Sequence, residues 1–317
     1  MKKLYIVVLF TLLGMTSFAQ QEPQVSHNMF NQLLINPGFA GSSGMNCATA
    51  IYRNQWTGFG GEPKTGIFSL DSYWSRFQLG MGISFLTDNL GFEKNIGVKI
   101  DLARQQAFSF GTLGFGLQLG LLNKSIDFSK FIYIDQGDPL LTSTQVEKNM
   151  FVDLALGFFL AGKDGKYYAG LSSSQLMETK GDYGITQATP SLKRHYYITG
   201  GYTFSPDPAI DIKPSALIKT DATSLQFDVN ALAVFNKRFW GGLSYRLQDA
   251  VVVLIGAYPF DTNPWLKPLK FGYSYDVTTS DIGKSKRSSG SHEVMLGYCI
   301  KVTSEPEKGS YKNTRFL

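Results

Sequence analysis

The chain is short of histidine, cysteine and charge, and after its first residues it has no long apolar run. Each shortage excludes a class of protein. Its three histidines are His27, His195 and His292. A Ser-His hydrolase needs serine and histidine held together with an acid or amide. His292 next to Glu293 does not supply that, because neighbours on a strand point to opposite faces. His195 takes the inward parity of its run, where a lumen hydrogen bond is the simpler role. The two cysteines, Cys47 and Cys299, exclude a disulfide-rich scaffold and a four-cysteine zinc site. No spacing of His, Cys, Asp and Glu points to a metal, and no cofactor is expected. Asp135, Asp138, Asp182 and Asp207 sit in loops and leave room only for a weak surface Ca²⁺ site. Charged residues are 17% of the chain, against about 25% in an ordinary soluble domain. The net charge of +5 is spread without a Lys/Arg block, so no nucleic-acid partner is expected.

What the chain does have is glycine (33 residues), aromatics (14%) and period-two alternation. It starts with Lys2 and Lys3, an apolar run over 4–15, and small residues at Ser17 and Ala19. That pattern reads as a secretory signal peptide, 1–19, with Gln20 as the mature start. The run is shorter than the ~20 residues a spanning helix needs, which disfavours an uncleaved anchor. No later run approaches 18 apolar residues, so no further membrane helix is available. An exported chain that still spans a membrane then does so as a closed β-barrel.

Residues 20–44 show no alternation. A short helix is expected over 27–34, stopped at Asn36-Pro37, with the segment at one mouth of the barrel or partly inside it. From Met45 alternation takes over. In the first run Ala48, Ala50 and Tyr52 oppose Thr49 and Arg53, with Ile51 an apolar exception on the polar side. In the second, Gly66, Phe68 and Leu70 oppose Thr65, Ser69 and Asp71, with Ile67 the exception. The clearest case is 109–123, where Leu113, Phe115, Leu117, Leu119 and Leu121 alternate with Gly114, Gly116, Gln118 and Gly120. Soluble strands rarely run this long, whereas a tilted membrane strand needs ~9–11 residues.

About fourteen such runs fit into 45–302, and the expected fold is all-β: a closed transmembrane antiparallel barrel with a short N-terminal non-strand segment and a C-terminal tail over 303–317. Connections tend to alternate short and long, the pattern of an outer-membrane barrel with its short turns in the periplasm. The connection 259–268 is long for that side, and Trp265 marks it as a contact surface. The tail is either a disordered end or a docking peptide anchored by Arg315 and Phe316. Tyr52, Trp56, Trp74, Tyr167, Tyr258 and Tyr298 stand near strand ends as interface girdle residues.

Arg53, Gln55, Asp71, Lys99, Asp101, Asp153, Lys213, Lys219, Asp228, Arg246, Asp276 and Glu293 take the inward, polar parity. Both signs are mixed, so they are expected to pair as a lumen network, because an unpaired buried charge is costly. The functional alternative is that part of the lumen grips a client segment. Cys47 and Cys299 are inward too, near the same ends of the first and last runs, which an even-stranded barrel brings together. A disulfide between them is open where the register sets their Cα atoms within ~7 Å; otherwise both remain free thiols.

A set of short motifs resembles the PorP/SprF family of the Bacteroidota type IX secretion and gliding machinery. They begin with Gln21-Glu22-Pro23, Met29-Phe30-Asn31 and the run from Asn36-Pro37-Gly38 to Gly41. Tyr52-Arg53-Asn54-Gln55-Trp56, Gly61-Glu62-Pro63, Gly170-Leu171-Ser172 and Lys213-Pro214-Ser215 follow. The set ends with 226–230, 242–246, 272–276 and Ser291-His292-Glu293. Pro37-Gly38-Phe39 stands where family patterns often have Pro-Ala-Tyr. The resemblance implies a non-enzymatic barrel in outer-membrane lipid that helps secrete or anchor a surface adhesin, through the adhesin or its C-terminal domain. It implies contact with periplasmic ring components. Loops 124–149 and 174–192 would hold the client. The runner-up is a channel or transporter for a small solute or lipid. A barrel hydrolase and a soluble secreted β protein stand further back.

Overall fold

The computed structural model describes residues 22–131, 145–181, 190–259, 268–280, 283 and 288–301. The tail, Trp265, Arg315, Phe316, Asp135, Asp138, Asp182 and the segment 1–19 lie outside the described residues.

Fifteen antiparallel strands form one sheet. They are β1 (Met45–Asn54), β2 (Lys64–Trp74), β3 (Leu79–Leu90), β4 (Glu93–Phe108), β5 (Gly111–Asp127), β6 (Val146–Gly162), β7 (Tyr167–Ser174) and β8 (His195–Tyr202). After them come β9 (Phe204–Asp207), β10 (Ile210–Thr220), β11 (Leu225–Phe235), β12 (Phe239–Arg246), β13 (Ala250–Ala257), β14 (Leu269–Thr278) and β15 (Ser291–Lys301). β8 and β9 both pair with β10 and make one stave interrupted at Thr203. The barrel therefore has fourteen staves, and it closes where β1 pairs with β15. Closure leaves no free edge, which is the condition for crossing lipid with strands.

The alternation sorts as a membrane barrel requires. On β5, Leu117, Leu119 and Leu121 are about half exposed, while Gln118 between them is buried. The outer face is thus apolar and the inner face polar. Among the described residues no helix is long and apolar enough to cross a membrane.

At one end the connections are two to four residues long, apart from that between β13 and β14. Asn236 and Lys237 both have positive φ, 50° and 54°, the type I′ turn geometry that matches the strand twist. The first and last strands begin and end here. Trp74, Phe77, Phe108, Phe110, Tyr202, Phe204, Phe235 and Phe239 stand exposed around this rim, as an interfacial aromatic belt does. Tyr52, Trp74 and Tyr167 face outward, but Tyr258 packs against the inner apolar cluster and is no part of the belt. At the other end lie the long connections 55–63, 128–145, 175–194 and 279–290. β4, β5 and β6 run to 16, 17 and 17 residues. That exceeds the ~9–11 needed to span, so this part of the wall extends past the apolar band.

Candidate functional site: the occupied lumen

The N-terminal segment fills the lumen. In place of the expected helix it makes three separate single turns of 3-10 type, Asn28–Phe30, Gln32–Leu34 and Pro37–Phe39. The side chain of Asn36 accepts from the Gly38 N–H and caps the last turn, where Pro37 needs no donor. Within the barrel a backbone must find its hydrogen bonds on the wall, and this segment does so on two different surfaces.

The first surface is paved with glycine. Gly80 of β3, Gly114 and Gly116 of β5 and Gly157 of β6 turn their bare Cα atoms inward. A Cβ at Gly116 would overlap the Pro37–Gly38 backbone, one at Gly80 the Ala40 carbonyl, and one at Gly157 the Asn36 side chain. Close backbone approach is what glycine permits. Polar side chains then fix the register. Gln105 donates to the Gly38 and Ala40 carbonyls at 3.1 and 2.6 Å. Asn36 donates to the Phe158 carbonyl at 2.9 Å, and Ser172 to the Ile35 carbonyl at 2.6 Å. Asp71 accepts the Gly41 N–H at 2.7 Å.

The second surface is ionic. Arg53 of β1 pairs with Asp276 of β14 at 2.7 Å and with Glu293 of β15 at 3.2 Å. Arg246 of β12 reaches Asp228 of β11, Asp249 and Asp276, each at 3.2 Å. Ser26 sits at the centre: its hydroxyl donates to Asp276 and accepts from Arg53 and Arg246. The Ser26 and His27 N–H groups both donate to Glu293 at 2.8 Å, and the His27 ring meets the same carboxylate at 2.7 Å. Between the two surfaces, Val25, Leu34, Met29 and Phe30 pack on inward Ile51, Ile67, Val252, Leu254, Met295 and Trp240.

Above the segment, towards the long connections, a cavity of about 910 Å³ remains. Its upper lining comes from the loop end, with Trp56, Lys193 and Gln248, and its floor is the segment itself, Glu22 to Val25 and Asn28 with Leu34 and Ile35. Glu22 lies there against Lys99 of β4 at 3.6 Å; its carboxylate accepts from Tyr197 of β8 at 2.6 Å. Burial raises the Glu22 pKa, but Lys99, Lys219 and the Tyr197 hydroxyl together bring it down to about 2. It is therefore charged at any physiological pH.

The expected single network is thus divided. Arg53, Asp228, Arg246, Asp276 and Glu293 form one cluster. Lys99 and Lys219 gather on Glu22, and Asp153 lines the same space. Asp71 bonds to Gly41 and Asp101 to Gln118, in place of the cations expected for them. Lys213 is exposed, and Gln55 lies past the end of β1, on the cavity wall. Strand parity alone does not mark Glu22, Ser26, His27 or Asn36, because they lie on the segment that has no strand pattern. Cys47 and Cys299 stand directly opposite each other across β1 and β15 and are joined as a disulfide, with Cα atoms 4.1 Å apart.

The histidines bond to Glu293 (His27), to Gln175 and the Lys193 carbonyl (His195) and to Tyr273 (His292). None of these partners is a serine or cysteine. Among the described residues no group of three or more His, Cys, Asp or Glu could hold a metal.

The chain is similar to several solved barrels. The monoaromatic hydrocarbon channel CymD is 8% identical with a TM-score of 0.50, covering 86% of this chain and 93% of that one. The Pseudomonas putida toluene transporter TodX is 11% identical with a TM-score of 0.46, covering 86% and 93%. Omp33 of Acinetobacter baumannii is 7% identical with a TM-score of 0.44, covering 81% and 97%. At such identities the CymD likeness is one of fold alone. No curated protein matches the chain in sequence. The family model for the type IX secretion system membrane protein PorP/SprF matches residues 17–298. The chain belongs to the PorP/SprF family and is an outer-membrane β-barrel of the type IX secretion system.

Proposed function

We propose that this barrel is a non-enzymatic receptor that helps secrete or anchor a partner surface protein, an adhesin, and that it works with the lumen segment in place. One observation carries the reading. The lumen is filled by its own backbone towards the short-turn end and hollow towards the long-loop end. That is the shape of a cup, whereas a diffusion pore needs a continuous path. The glycine bed supports a permanent fit, because it accepts the segment's backbone and nothing bulkier.

In this reading the long-loop end faces outward and receives a segment of the partner, or its C-terminal domain. The short-turn end, the connection holding Trp265 and the tail with Arg315 and Phe316 face the periplasmic ring components. The signal peptide 1–19 is removed on export, and the disulfide forms in the oxidising periplasm. The test is affinity capture of the tagged protein from detergent-solubilised outer membranes, followed by mass spectrometry. A large secreted surface protein or periplasmic ring components should accompany it. A barrel that comes alone and conducts ions or solute in liposomes would replace this reading with the channel one.

A further inference from the structure

The cavity floor contains a carboxylate site already occupied by the chain's own Glu22. The wall supplies its donors. Tyr197 of β8 donates its hydroxyl at 2.6 Å, and Gln175, just past β7, donates at 3.3 Å. Ser174 lies at 3.5 Å, Lys99 of β4 at 3.6 Å, and Lys219 of β10 holds the Glu22 carbonyl at 2.9 Å. Tyr197, Ser174, Gln175 and Lys219 are buried. Because the donors come from four staves, the pocket persists whether or not Glu22 fills it.

The limb that carries Glu22 is held differently from the rest of the segment. No glycine bed lies beneath residues 22–25, and their backbone pairs with no strand. Without Glu22, Lys99 and Lys219 would share the floor with Asp153 and with Asp228, which Arg246 already pairs. Lys99, Lys219 and Arg246 would then face Asp153 and Asp228, and in a partly buried site that imbalance attracts an anion. The cavity above extends towards the long-loop end.

We infer that this pocket is a carboxylate-binding subsite for the partner segment, and that Glu22 is a tethered occupant which the partner's carboxylate displaces. The inference rests on the receptor reading above and names the chemistry of what the cup receives. An extended segment bearing Asp or Glu, or ending in a free α-carboxylate, satisfies Tyr197, Gln175 and both lysines as Glu22 does. A neutral segment would leave Lys99 and Lys219 with Asp153 and Asp228 alone.

The test uses the full-length barrel in detergent, wild type and Glu22→Ala, titrated with three fluorescent pentapeptides. One is a Gly/Ser peptide amide with a central Glu, one its Gln counterpart, and one a Gly/Ser peptide with a free carboxyl end. Glu22→Ala should bind the Glu peptide, the free-acid peptide or both at least tenfold more tightly than wild type, and the Gln amide no better. Which acidic peptide binds separates a side-chain from a chain-end carboxylate. Adding Lys99→Met or Tyr197→Phe to Glu22→Ala should lose at least tenfold. A heat-modifiable barrel band on gels shows that each variant is folded, and Glu22→Gln serves if the alanine variant does not fold. A folded variant that binds Glu and Gln peptides alike, or none, overturns the subsite. Capture of a surface protein by wild type alongside that failure would leave the receptor reading intact. Peptide binding with no captured partner would do the reverse.

Discussion

Two walls of one lumen hold the same segment by opposite means. On β3, β5 and β6 the wall has given up side chains, and the segment from Asn36 to Gly41 lies against bare glycine. On β1, β11, β12, β14 and β15 the wall is crowded with charge, and Ser26 and His27 are gripped by Arg53, Arg246, Asp276 and Glu293. The glycine wall works by shape. It needs no charge and takes no other occupant, because contact distances between backbones are unforgiving. The ionic wall works by satisfaction. Its charges need one another first, and the segment completes a network that joins five staves. One wall therefore specifies the occupant, while the other stabilises the barrel and the occupant together.

Substitutions at the two walls should separate these roles. The largest effect is expected from Arg246→Met. It leaves Asp228, Asp249 and Asp276 without that cation in a buried site, and removing one partner of a buried pair costs about 3–5 kcal/mol. Barrel and lumen segment should fail together, with a large drop in the temperature at which the folded band converts on a semi-native gel. An unchanged transition would mean the charges are solvated after all. Gly116→Val should act on the segment alone, by about 1–3 kcal/mol from overpacking. The barrel band should survive while protease cuts within 36–41 and conductance appears in planar bilayers. If Arg246→Met produced conductance in an intact barrel and Gly116→Val did not, the two walls would have exchanged roles.

Much of this division is written in the sequence, though only half of it is legible there. Alternation decides which face of each strand is inward, so the placement of Arg53, Asp228, Arg246, Asp276 and Glu293 in the lumen follows from parity alone. The glycines at 80, 114, 116 and 157 fall on that same face, but parity does not tell a water-facing glycine from one pressed against another backbone. Ile51 and Ile67 hold a clearer hint. They break the polar parity because Val25, Leu34 and Phe30 need an apolar surface inside the barrel. An apolar residue on a lumen face signals an occupant. Which occupant, and how it splits the charges into separate clusters, depends on Glu22 to Gly41. That segment has no period to read, because its shape is set by the wall.

Cys47 and Cys299 add a third way to separate the walls, since the bond lies on the seam that closes the ring. Cys47→Ser with Cys299→Ser should lower the thermal transition by the equivalent of about 2–4 kcal/mol, the usual range for a lost disulfide. It should leave conductance at zero, because neither wall's hold on the segment involves the bond. Conductance in that variant would show that the seam, and not the glycine bed, keeps the lumen filled.

A single hydroxyl gives the sharpest test of the comparison. Ser26→Ala removes one hydroxyl that donates to Asp276 and accepts from both arginines. Arg53 and Arg246 keep their carboxylates, so the barrel should lose no more than the ~1.5–3 kcal/mol of a hydrogen bond to a charged group. The Ser26 backbone still donates to Glu293. If the segment is held in two independent places, amide exchange should quicken over residues 22–28 and stay unchanged over 36–41. Equal acceleration along the whole segment would mean that glycine bed and ionic clamp act as one unit. The Glu22 limb could then not leave its pocket without the rest following, because moving one end would lift the backbone off the glycines at the other.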